Sequence, residues 1–113
     1  MVHGVIIYIM NESWTQQTNK GTVLVGFRKE FLKKIGPIWH LIPRVPPRQE
    51  VNATTTVFAM ETSYCLHSIR SPVKGTLVAF HTEYFEKPDS IDENIWLYEI
   101  LPQEQEDEMH CLQ

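Results

Sequence analysis

"TTVFAMETSYCLHSIR", residues 55–70, decides the fold. Two apolar, β-favouring runs, 55–60 and 65–70, flank a short polar stretch. That pattern predicts an antiparallel hairpin with residues 61–65 at its turn. Glu61 opens the turn, Thr62 and Ser63 supply hydroxyls for local backbone groups, and Tyr64 is expected near the exposed end. The hairpin is one part of a larger set of short strands.

The rest of the chain offers the partners. "GVIIYIM", 4–10, reads as a first strand, and the polar "NESWTQQTNKG", 11–21, reads as a break. "TVLVGF", 22–27, is a second strand. In "RKEFLKKIG", 28–36, the period changes. Phe27, Phe31 and Ile35 are four apart, so this is a short amphipathic helix stopped by Gly36 and Pro37. "IWHLI", 38–42, resumes strand character, and 43–55 reads as a loop. "TLVAF", 76–80, and "IWLYEI", 95–100, are further strands. "TEYFEKP" is a second short helix, stopped before Pro88. Strands without long crossover helices exclude a doubly wound sheet and predict a small, mostly β barrel or sandwich. Trp39, Phe58, Phe80 and Trp96 are expected in its core.

The chain has 113 residues, 42% of them hydrophobic, enough for one domain with a real core. One domain is expected over 1–102, with an acidic tail over 103–113. Ten Lys and Arg face fourteen Asp and Glu, a net charge of -4, which is no nucleic-acid footprint. No apolar run is long enough to span a membrane, and no secretory pattern opens the sequence. The expectation is a soluble intracellular chain, cytoplasmic, or mitochondrial or otherwise organellar if a targeting peptide has been removed. Oligomeric state stays open.

Cys65 and Cys111 show no scaffold spacing; Cys65 is expected as a small core hydrophobe with nothing basic close to it. His3, His40, His67, His81 and His110 are not spaced as a metal motif, so no metal site is expected. No nucleophile elbow or Gly-rich anion loop is present, so no enzyme is expected. Arg28, Lys29, Lys33 and Lys34 make the helix the most basic element. They are read either as a docking surface for an acidic partner or as a solvated face.

Taken in order, four pieces resemble the glycine cleavage system H proteins, which are lipoyl carriers. They are "TVLVGFRKEFLKKIGPIWHLIP" (22–43), "ETSYCLHSIRSPVKG" (61–75), "TLVAFHTEYFEKPDSIDEN" (76–94) and "WLYEI" (96–100). The resemblance implies a flattened β-barrel of the biotinyl/lipoyl hybrid class, with the attachment lysine at the tip of a tight hairpin. It sets Glu61 against the family's Glu, and Ser71-Pro72-Val73 with Gly75 against the following turn. Counted from Glu61, the lysine position falls on Tyr64, and a phenol cannot form the amide that holds a lipoyl arm. The Gly-containing loop that the family has before the closing Trp is also shortened here.

The implied function is a noncatalytic protein-binding module that has lost its attachment lysine and carries no cofactor. Its partner would be a carrier-reading enzyme or an assembly subunit. Candidate contacts are Glu61, Thr62, Ser63, Tyr64 and the four basic helix residues. The alternative is a lipoyl carrier modified at another lysine, such as Lys74.

Overall fold

The computed structural model describes residues 3–5 and 12–106, the side chains of 3–5 and 104–106 excepted. Ten strands, one α-helix and two 3-10 turns are found among the described residues. The strands are β1 (His3–Val5), β2 (Ser13–Gln17), β3 (Val23–Phe27), β4 (Ile38–Pro43) and β5 (Glu50–Val51). They continue as β6 (Thr56–Thr62), β7 (Leu66–Arg70), β8 (Gly75–Phe80), β9 (Trp96–Pro102) and β10 (Glu104–Glu106). The helix, α1, is Lys29–Ile35.

All strand pairs are antiparallel. One sheet runs β2-β3-β9-β8-β5, a second β4-β6-β7, and β1 pairs with β10. The two larger sheets do not share a ladder; side chains join them. Phe58 of β6 is fully buried against Phe80 of β8 and Tyr98 of β9, with ring centroids 5.2 and 5.5 Å apart. This is a mostly β sandwich of the lipoyl/biotinyl-carrier kind. No helix among the described residues is long and apolar enough to cross a membrane.

The expected hairpin is present, with its strands running 56–62 and 66–70. The helix also forms where the 3.6 period put it. Its inward side chains are Phe31, Leu32 and Ile35, and only Ile35 is fully buried. Gly36 ends it at φ 71°, a left-handed conformation that costs glycine little, and its N–H bonds the Leu32 carbonyl at 3.1 Å.

Several readings are corrected. The polar stretch 11–21 was expected as a break, but Ser13–Gln17 is a strand paired with β3. As the outermost strand of its sheet it can keep polar side chains in water. The loop 43–55 contains the short β5, which pairs with β8. The second helix is a single 3-10 turn, Thr82–Phe85, followed by another at Pro88–Ser90. Trp39 is not core: it is 54% exposed. The β4–β6 register shifts between Ile38 and His40, which breaks the alternation and leaves Trp39 and His40 both facing out. Phe58 is core as expected, while Phe80 and Trp96 are half-buried.

The first expected strand, 4–10, is seen in part as His3–Val5, and residues 6–11 lie outside the described residues. So do 107–113, which hold His110, Cys111 and the end of the expected acidic tail; Glu104–Glu106 form a strand.

Candidate functional site at the β6–β7 hairpin

The hairpin end is built around Thr62. Its side chain points inward, 3% exposed. The Thr62 N–H donates to the Cys65 carbonyl at 3.1 Å, and the hydroxyl donates to the same oxygen at 3.3 Å. The hydroxyl oxygen accepts from the N–H groups of Tyr64 at 3.3 Å and Cys65 at 3.5 Å. One buried hydroxyl thus ties down the three-residue connection Ser63-Tyr64-Cys65, and Ser63 is exposed. Thr62 shapes the tip rather than presenting itself to a partner.

Tyr64 is 81% exposed. Its ring leans toward the end of α1: a Cβ placed on Gly36 would lie 3.8 Å from Tyr64 Cε2. Between the hairpin and the helix is an open groove of about 310 Å³. Phe31, Lys34 and Ile35 line it from the helix; Tyr64, Cys65 and His67 line it from the hairpin.

Glu61 faces the opposite side of the sheet from its neighbour Thr62, as strand alternation requires. It lies across from His40 on β4 and Leu66 on β7. Its Oε1 is 2.7 Å from His40 Nδ1, with both side chains largely in water. Pairs this exposed contribute little to stability. Leu66, beside it, is 68% exposed.

The basic residues of the helix separate into two kinds. Arg28 is the residue before the first helical turn, and its Nε donates to the Ser13 carbonyl at 2.8 Å. Its guanidinium therefore fastens β2 to the helix start. Lys29, Lys33 and Lys34 are exposed, and the last two stand in the final turn, where cations suit the helix dipole. Lys34 alone of the four reaches the groove. Lys74 sits beyond the far end of β7, just before β8, and is not part of this site.

Cys65 requires a correction. It is an exposed free thiol, not a core residue, and a basic side chain does stand close: its Sγ is 3.3 Å from His67 Nε2. The sequence carried the signal, because residues two apart on a strand share a face. His40, His67 and His81 do not converge. His81 Nδ1 donates to the Trp96 carbonyl at 2.7 Å and its ring stacks on Trp96, centroids 4.2 Å apart. Among the described residues no three His, Cys, Asp or Glu side chains are grouped to hold a metal ion.

Comparison with known proteins gives the family and the fold. A family model described as glycine cleavage H-protein matches residues 6–113. A probable glycine cleavage system H protein of Pyrococcus horikoshii is 26% identical, over 92% of this chain and 79% of its own length. A glycine cleavage system H protein of Burkholderia vietnamiensis is 28% identical, over 82% of this chain and 75% of its own. The crystal structure of a glycine cleavage system H protein from Mycobacterium marinum superposes with a TM-score of 0.70, covering 88% of this chain and 85% of that one. At 20% identity, it speaks to the fold alone.

Proposed function

The chain belongs to the glycine cleavage H-protein family of noncatalytic carriers, and we propose that it is a protein-binding module on that carrier fold, with Tyr64 in the position of the attachment lysine. The single observation that carries the reading is an aromatic ring 81% exposed at the hairpin end, beside an open groove. Exposed aromatics of this kind are strong interface anchors, because they bring large contact area at low conformational cost. A durable lipoyl arm needs an amine, and a phenol has none. Lys74, ten residues on, lies past the other end of β7 and does not share the tip.

The partner is a protein that reads carrier hairpins, or another subunit of the same assembly. Tyr64 is its anchor, Glu61 and Ser63 flank the contact, and Lys29, Lys33 and Lys34 offer charge to an acidic surface. Arg28 and Thr62 hold the surface in shape.

The test is recovery of the protein from its native source, followed by intact-mass measurement and native mass spectrometry of its complexes. The expected result is an unmodified chain whose complex weakens at least about tenfold on Tyr64→Ala. A lipoyl increment mapped to Lys74 or another lysine, or a complex indifferent to Tyr64→Ala, overturns the reading.

A further inference from the structure

Cys65, the last residue of the hairpin connection, and His67, the second residue of β7, bring their side chains together, Sγ to Nε2 at 3.3 Å. Neither belongs to the core. Cys65 is exposed, and His67 is half-buried, held edge-on against Phe31 with centroids 6.1 Å apart. The pair opens onto the groove of about 310 Å³, whose walls include Phe31, Ile35 and the Tyr64 ring. Lys34 is the cation among its lining residues. Nothing in the protein-binding reading uses this thiol or this imidazole.

We infer that this corner is a thiol-exchange site for small disulfides with an apolar body and an anionic end. The thiolate is the attacking species in such exchange, and a neutral imidazole beside the thiol takes its proton. The apolar walls hold the body of the reagent, and the Lys34 ammonium attracts its anionic end. In the step, Cys65 Sγ bonds to one sulfur of the incoming disulfide as that disulfide's own S–S bond breaks. The second sulfur leaves with the bond's electron pair and takes up a proton from the imidazolium or from water. Cys65 is oxidised to the disulfide level and the departing sulfur is reduced to a thiol. The incoming disulfide is the oxidant, so no other reagent is required.

The experiment uses the full chain carrying Cys111→Ser, which leaves Cys65 as the single thiol. Thiol release is followed from two probes, the anionic dithiobis-nitrobenzoate and the uncharged dithiodipyridine, across a pH series, with the same chain unfolded in urea as reference. The folded chain is expected to react roughly tenfold faster than the unfolded chain at neutral pH. His67→Gln is expected to remove that advantage for both probes. Lys34→Gln is expected to slow the anionic probe alone. A folded chain no faster than the unfolded one overturns the inference. So does a His67→Gln variant with unchanged rates and an unchanged pH profile. The folded-to-unfolded ratio in the Cys111→Ser parent decides the matter even if His67→Gln does not fold.

Discussion

Thr62 makes the shape of the hairpin end depend on one oxygen. Its buried hydroxyl serves two N–H donors and donates to one carbonyl, so its removal leaves several polar groups to find water or each other. Thr62→Val keeps the shape and deletes that oxygen. It is expected to cost about 1–3 kcal/mol in urea unfolding, and to loosen Tyr64 before the rest of the fold. Thr62→Ser keeps the oxygen and should recover most of the loss. A second residue sets a limit on alkaline stability. Burial pushes the Tyr98 phenol well above the usual tyrosine range. The native state therefore keeps its proton while the unfolded chain loses it. Fewer protons on the unfolded chain mean that stability falls as pH rises above about 10, by up to roughly 1.4 kcal/mol per pH unit for this one group. Unfolding free energies of the parent and Tyr98→Phe, measured across that range, should diverge with the steeper fall in the parent. Parallel curves would show that Tyr98 ionises as easily folded as unfolded.

At the level of elements, β2 and β3 are fixed to one another by a close approach. Trp14 lies opposite Gly26, and its indole covers the glycine so closely that a Cβ there would collide with the ring and with the Ile95 carbonyl. Gly26→Ala is expected to destabilise by about 1–3 kcal/mol through displacement of the Trp14 ring. Trp14 fluorescence should shift while far-UV circular dichroism stays largely native. An unshifted spectrum with full stability would mean that the ring yields freely. This contact also explains what local sequence conveyed and what it did not. The helix was legible because Phe27, Phe31 and Ile35 repeat at four and Gly36 closes the pattern within one window. The 55–70 hairpin was legible because both strands and their turn are contiguous. β2 was not, because "SWTQQ" has few apolar residues of its own and becomes a strand only against β3. Trp39 was misread for a related reason: the bulge that turns it outward is a property of the β4–β6 register, not of residues 38–42 alone. At the site, Tyr64 at the exposed end was legible, and the Cys65–His67 contact was present as a two-residue spacing. The groove was not legible, since its two walls, Phe31 to Ile35 of the helix and Thr62 to His67 of the hairpin, are distant in the chain and meet only through the packed fold.

For the molecule as a whole, the joint between the sheets carries the last consequence. The β4-β6-β7 and β2-β3-β9-β8-β5 sheets share no ladder, so their association rests on side chains. Phe58 is the centre of that joint. It is fully buried and meets Phe80, Phe85 and Tyr98, which come from β8, the 3-10 turn and β9. Truncating a buried Phe to Ala costs about 3–5 kcal/mol, a large share of the ~5–15 kcal/mol that holds a domain together. Phe58→Ala is therefore expected to lower the unfolding free energy by that amount and the urea midpoint with it, with no change in slope if both sheets still unfold as one unit. Amide exchange on β6 and β7 should then accelerate in step with exchange on β8 and β9, although the mutated residue lies on only one of the two sheets. Loss of protection confined to β4, β6 and β7 would mean that the smaller sheet opens by itself. The hairpin that carries Tyr64 would then be held by its own ladder and the helix, and not by the sandwich.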